Sequence, residues 1–257
     1  MGSHDLPLLR FPHLACQNGL QHAITTREGG VSRPPAQSFN LARKGGDDPA
    51  AVDENRRRLA RALAPGRLVF LRQVHGNTVL SLKRPPAGEH TSLAGRGDAF
   101  ITDQAGLLLT ILVADCQAIL LFDPRQRVVA NVHSGWRGSI ANVIGATVKA
   151  MVRDFGCRPN DLLAGVGPSL GPCCAEFINY RKEIPEAFWY RRVSKHHFDF
   201  WGISHDQLTA AGLAGEHITL SRICTRCASQ RFFSYRAGHE VGRFAAVIGM
   251  RAEGRPG

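Results

Sequence analysis

Lysine is scarce in this 257-residue chain: five lysines stand among 32 basic residues, so the net charge of +11 is carried by arginine. Arginine's planar fork suits bidentate capture of phosphate or carboxylate. The chain has no helix-turn-helix pattern, zinc-finger spacing or aromatic RNA-binding signature, so the basic surplus is not assigned to nucleic acid. No apolar run nears the roughly 20 residues that a membrane helix needs. The longest, Leu107–Val113, is broken soon after by Asp115 and Cys116. The opening Met1-Gly2-Ser3-His4 lacks the basic start and apolar stretch of a secretory signal, and a soluble, cytoplasmic protein with no membrane partner is expected. Seven cysteines, an odd number in a chain too long to need stapling, argue for reduced thiols instead of a disulfide framework. Internal repeats and low-complexity tracts are absent, which excludes a solenoid.

With 44% apolar residues the chain can bury one sizeable core, and a single domain over 1–257 is expected, with 1–10 as an irregular tail. After a glycine- and proline-rich start, Asp48-Pro49 reads as an N-cap followed by proline at the first helical position, predicting a helix to about Leu63 with Val52, Leu59 and Leu63 on its apolar side. Segments 68–74 and 79–82 are β-rich and flank a tight turn at His75-Gly76-Asn77. Segments 99–102, 107–113, 118–122 and 128–132 predict buried strands. Over 137–155, Ile140, Val143, Ile144, Thr147, Val148, Met151 and Val152 recur at helical spacing. A short strand at 162–166 follows, then a capping box of Ser204 with Gln207 opening a helix towards Leu213, then strands at 217–221, 231–235 and 243–248. Mixed strands with intervening helices predict one α/β to α+β domain, with mixed sheets in a sandwich flanked by helices.

Three metal-ligand types fall at strand ends: His75, Cys116 and His133. Two imidazoles and a thiolate suit zinc, and three protein ligands leave a fourth position for water or substrate. Spacing alone leaves open the alternative, in which the histidines hydrogen-bond in turns and Cys116 packs as a small apolar group. The same trio describes a copper site. Reducing dioxygen needs further coppers on His-x-His pairs, and the chain's one close pair is His196-His197. A third reading makes Cys116 a nucleophile and His133 its base, as in a cysteine hydrolase. Cys224-Thr225-Arg226-Cys227, with Cys173-Cys174, invites a structural-zinc or redox reading. The adjacent pair lacks Cys-x-x-Cys spacing, so buried thiols are expected there.

The segments Gln73-Val74-His75-Gly76, Ala114-Asp115-Cys116, His133-Ser134-Gly135-Trp136-Arg137-Gly138, Gly167-Pro168 and Phe233-Ser234-Tyr235-Arg236 resemble, in order, the signatures of the YfiH family, laccase-domain proteins regarded as purine nucleoside phosphorylases. Thr26-Arg27-Glu28-Gly29-Gly30, Phe39-Asn40-Leu41, Asn55-Arg56 and Gly242-Arg243 extend the likeness over nearly the whole chain. The resemblance implies zinc on His75, Cys116 and His133. It also implies phosphorolysis of adenosine, inosine or methylthioadenosine with inorganic phosphate, adenosine deamination as a second activity, and a suggested role in editing peptidoglycan precursors. For phosphate, Arg56 and Asn40 are the catalytic candidates, and Arg236 is a further substrate-binding candidate. Trp136 either stacks on a base or packs in the core. The chain departs from the family pattern at Ser134, a harmless change beside the metal, and at Gln117 and Ala175, positions that bear on substrate preference.

Overall fold

Strand Leu107–Val113 is apolar at all but one position because both of its faces are covered. Leu107, Leu109, Ile111 and Val113 point into one core, while Leu108 and Leu112 point into another. This period-two division repeats along the other central strands and sets the architecture.

The computed structural model describes residues 6–43, 45–63, 66–88, 91–238 and 241–252. Its strands are β1 (Leu8–Leu9), β2 (Leu20–Thr25), β3 (Arg67–Arg72), β4 (Val79–Leu82), β5 (Thr91–Arg96), β6 (Ala99–Thr102), β7 (Leu107–Val113), β8 (Gln117–Asp123), β9 (Val128–Ser134), β10 (Leu163–Val166), β11 (Ile218–Leu220) and β12 (Phe244–Met250). The helices are α1 (Pro12–Ala15), α2 (Pro49–Ala62), α3 (Trp136–Ile140), α4 (Val143–Phe155), α5 (Tyr180–Glu183) and α6 (Phe200–Ala210). The strands form two mixed sheets of six, in the orders β1-β2-β12-β7-β3-β5 and β11-β10-β8-β9-β6-β4. The expected single-domain sandwich with flanking helices is the observed fold. No helix among the described residues is long and apolar enough to cross a membrane.

Between the sheets lies the largest core, with Val69 and Leu71 of β3, Leu120 and Phe122 of β8, and Ala246 and Ile248 of β12. One polar side chain crosses it: Asn131 of β9 donates from Nδ2 to Leu109 O and to Ala246 O, both at 2.8 Å, tying the second sheet to two strands of the first. The outer faces carry separate cores. Leu59 of α2 and Leu63 just beyond it cover Leu68, Phe70 and Val247 on one side, and α4 covers Ile101, Ile119 and Val132 on the other.

Several expectations are corrected. The segment 137–155 is two helices, because Asn142 adopts a left-handed backbone (φ 52°) and caps α4 through its side chain, which accepts from Gly145 N at 2.9 Å. Asp199, not Ser204, caps α6, accepting from Gly202 N at 3.0 Å. Ser204 lies buried inside that helix and donates to Gln117 Oε1, and Gln207 donates to Ser139 O at 2.6 Å. Segment 231–235 is not a strand. Of the expected irregular tail, residues 1–5 lie outside the described residues, while β1 pairs antiparallel with β2.

Candidate metal centre and its cavity

Left-handed backbone falls at one of the three predicted ligands and just before another. His75 follows β3 in a left-handed conformation (φ 59°), and Asp115, just before Cys116 in the β7–β8 connection, has φ 87°. For residues with a side chain such conformations are strained and persist only where their surroundings hold them. Asp115 is held from three directions: its carboxylate accepts from Thr225 Oγ1 at 2.6 Å and from Arg236 N at 2.7 Å, and its carbonyl accepts from Leu170 N at 2.8 Å. His133 is on β9, in register with Ala118 of β8, two residues beyond Cys116. The structure brings the three together: one ligand atom from each of His75, Cys116 and His133 lies within 4.8 Å of the others. The two imidazoles meet edge to face, their ring centres 4.8 Å apart.

A residue that the sequence reading passed over organises this trio. Asp98, fully buried immediately before β6, accepts from Val74 N at 3.1 Å and His75 N at 2.8 Å on Oδ1, and from Gly76 N at 2.7 Å on Oδ2. Its Oδ1 also lies 2.8 Å from His133 Nδ1. An Nδ1–H donated to Asp98 fixes the tautomer of His133 and leaves Nε2 as its free donor atom, the arrangement in which a carboxylate orients a metal-binding imidazole. Burial alone would raise the Asp98 pKa, but the bonds from His133 and from the Gly76 and His75 amides bring it below the usual carboxylate value.

Burial would likewise raise the Cys116 thiol, yet His133 and His75 together lower it to about 6. His133 moves in the opposite sense, to about 9, because the Cys116 thiolate and Asp98 outweigh the desolvation that would lower it. The site therefore favours a thiolate, the form that binds metal or attacks as a nucleophile. Gly135 leaves the space that such a group needs: a Cβ there would stand 2.9 Å from His75 Nδ1 and 3.1 Å from Cys116 Sγ.

The trio opens into a cavity of about 1080 Å³. Its cationic lining is Arg43, Arg56, Arg72, Arg137, Arg236 and Arg243, and its aromatic lining includes Phe70, Trp136, Phe177, Phe200 and Tyr235. Arg56 is half-buried, with Nε and Nη2 on Leu41 O at 3.0 and 2.8 Å and its guanidinium 4.3 Å over the Phe70 ring. Burial, then repulsion from Arg43, lowers its pKa to about 10. Arg236 lies 5.5 Å over Phe177 and donates to Glu176 O at 2.8 Å. Trp136 packs against Phe177 at 5.9 Å and also lines the cavity.

Asn40 is not in the cavity wall. Its buried carboxamide is consumed by Ala42, Asp47 and Arg243 N, the last at 2.8 Å. It acts behind Arg243, which lines the cavity and whose pKa is lowered by burial against the opposing pull of Cys116 and Asp115. Nothing in the sequence around Gly242-Arg243 marks this role. A Cβ at Gly242 would meet Asn40 Cβ and Phe233 Cζ, each at 2.8 Å, so the glycine lets this arginine's backbone approach closely. Two of the three departures from the family pattern bond to flanking helices: Gln117 bridges to α6 through Phe200 O at 2.8 Å and Ser204, and Ser134 Oγ pairs with Ser139 Oγ of α3 at 2.9 Å.

Residues 21–251 match a family described as multi-copper polyphenol oxidoreductase laccase. A Deinococcus radiodurans protein named purine nucleoside phosphorylase is 38% identical over 100% of this chain and 98% of its own length. A Shigella flexneri protein named purine nucleoside phosphorylase YfiH is 34% identical over 93% and 98%. The crystal structure of YlmD from Geobacillus stearothermophilus superposes with a TM-score of 0.84 at 33% identity, covering 95% of this chain and 96% of that one.

Proposed function

The chain belongs to the multi-copper polyphenol oxidoreductase laccase family that includes the YfiH proteins, and from that premise we propose that it is a zinc-dependent purine nucleoside phosphorylase of the reducing cytoplasm. Its substrates are adenosine, inosine and methylthioadenosine, with inorganic phosphate as the second reactant. The observation that carries this reading is the joining of a three-donor cluster to one arginine-rich, aromatic-lined cavity.

The donor set fits the ion. Two imidazoles and a low-pKa thiolate converge, Asp98 directs one imidazole, and Gly135 keeps the intervening space clear. A zinc ion held there supplies Lewis acidity and acidifies water at neutral pH. The rest is done by the chain. Arg56 and Arg243 neutralise phosphate and aim it at the anomeric carbon, with Arg236 lining the same cavity. A phosphate oxygen bonds to that carbon as the glycosidic C–N bond breaks, and the purine leaves with the electron pair and takes up a proton. The rings of Trp136, Phe177 and Phe200 give the purine an apolar face to lie against.

Hydrolytic deamination, in which adenosine and water give inosine and ammonia, is the second activity, dependent on the same trio. The test is to incubate metal-quantified protein with adenosine, with and without phosphate, and to identify the products by mass. Adenine with ribose 1-phosphate, formed only with phosphate, is the expected result, and inosine reports deamination. Adenosine left intact by fully metallated protein overturns the proposal.

One observation favours a second reading. Cys116, His133 and Asp98 stand in the order nucleophile, base and orienting carboxylate, as in a cysteine hydrolase acting on an amide or ester such as a peptidoglycan precursor. Turnover that survives chelation and is abolished by thiol alkylation would favour it. Polyphenol oxidation by copper would need further imidazole ligand sets, and the other metal-competent cluster among the described residues is all cysteine.

A further inference from the structure

Four cysteines that this chemistry does not use meet in a second cluster. Cys173 and Cys174 occupy a turn after β10, closed by Cys174 N and Ala175 N on Gly171 O, each at 2.9 Å. Cys224 and Cys227 occupy the loop after β11, which pairs with the first segment through a bridge between Ser169 and Cys224. Cys227 Sγ is 3.6 Å from Cys173 Sγ and 3.6 Å from Cys174 Sγ, and all four sulfurs lie within 4.8 Å of one another.

We propose that Cys173, Cys174, Cys224 and Cys227 hold a structural zinc ion as a tetrathiolate, separate from the His75–Cys116–His133 centre. With Zn–S bonds of about 2.3 Å, the edge of a sulfur tetrahedron is about 3.8 Å, close to the two short separations here. Four protein thiolates fill the coordination shell and leave no position for substrate, which is the structural pattern and not the catalytic one. The Gly171 amide donates to Cys224 Sγ at 3.3 Å, the kind of outer bond that steadies a metal thiolate. Binding is an exchange without redox change: one Zn²⁺ forms four Zn–S bonds and displaces up to four thiol protons to solvent.

The ion would staple two segments that both reach the active centre. Leu170 N and Thr225 Oγ1, one from each of these segments, bond to Asp115, the strained residue next to Cys116. The tetrathiolate is thus a positioning device for the β7–β8 connection.

The test is made on protein purified under reducing conditions, with zinc counted by mass spectrometry. Wild type should carry about two equivalents. Cys116→Ala should keep one, and when that variant is reconstituted with cobalt it should show the intense charge-transfer and visible bands of a cobalt tetrathiolate. Cys173→Ser and Cys227→Ser, both at exposed positions, should weaken or lose that equivalent while His75 and His133 keep theirs. A reduced Cys116→Ala chain that retains no zinc and gives no tetrathiolate spectrum overturns the proposal. So does an intact mass lighter by two or four hydrogens after purification without reductant, when the thiols regenerated by reduction then take up no zinc at this cluster.

Discussion

Replacing Asp98 by asparagine changes one atom and should disturb both the fold and the metal centre. The carboxylate accepts from Val74 N, His75 N and His133 Nδ1 on Oδ1 and from Gly76 N on Oδ2. Asparagine can place its oxygen where Oδ1 stood, but its NH₂ then faces the Gly76 N–H, donor to donor, inside a fully buried pocket. One orphaned buried donor costs about 1–3 kcal/mol, and the remaining bonds lose the strength that a charged acceptor gives them. The combined effect is about 2–4 kcal/mol of stability, read as a lower urea midpoint with an unchanged slope. The loss of charge also frees the His133 tautomer, and weakening such an oriented imidazole lowers metal affinity by about 10–100-fold. Affinity is measured by competition with a chromophoric chelator. A variant within about 0.5 kcal/mol of wild type that holds its metal equally well would refute the view that Asp98 organises the site.

Gly135→Ala should lower metal affinity by about 10–100-fold with little change in the urea midpoint, because the backbone there is ordinary (φ −74°) and only the donor atoms are crowded; undiminished metal content at limiting zinc would contradict it. Arg56→Ala should raise the apparent KM for phosphate by about 10–100-fold, as for the loss of a charge-assisted bond, while metal content stays intact, whereas Cys116→Ala should empty the His75–Cys116–His133 centre; full turnover in both variants would dismiss the assigned roles. His22 is buried and accepts from Phe11 N at 2.8 Å, and burial, reinforced by Arg10 and His13, lowers its pKa to about 4. The unfolded chain therefore takes up this proton near pH 6.5 and the folded chain only near 4, so this contribution is full above pH 6.5 and declines as pH falls between those values, by about 3 kcal/mol. His22→Gln should flatten that part of the pH–stability curve, and a wild-type slope in the variant would contradict the assignment.

The fold was readable wherever both faces of a strand are apolar, as in β7 and β8, because burial on two sides leaves no polar position to confuse the pattern. It was unreadable in β2, whose Gln21 and His22 are buried. His22 is tolerated there because a backbone amide satisfies it, a partner no local window contains. The β5 segment, Thr-Ser-Leu-Ala-Gly-Arg, is illegible for another reason: it is an edge strand with an exposed Leu93 and an interior glycine, and only its pairing with β3 makes it a strand. Segment 231–235 erred the other way. Phe232 and Phe233 have strand-like composition, but both enter the same inter-sheet core, and consecutive residues of a strand cannot do that.

At the site, His75, Cys116 and His133 could be named from residue type, strand-end position and family likeness, because ligand chemistry restricts the choice to a few side chains. The groups that make them a centre could not. Asp98 reads in sequence as an acid before a strand, and its importance arises only where the 74–76 turn and β9 close over it. Asn40 and Arg56 were grouped because both suit phosphate, yet the same capacity for several hydrogen bonds allows Asn40 to be consumed by backbone and to hold Arg243 in its place. The cysteine quartet carries this furthest. Adjacent Cys173 and Cys174 break the familiar ligand spacing, but a tetrahedral ion selects sulfur positions in space, and a turn on Gly171 brings adjacent residues as close as any Cys-x-x-Cys loop would. Spacing rules encode the commonest backbone that satisfies the geometry, so a site built on a different backbone is invisible to them until the chain is folded.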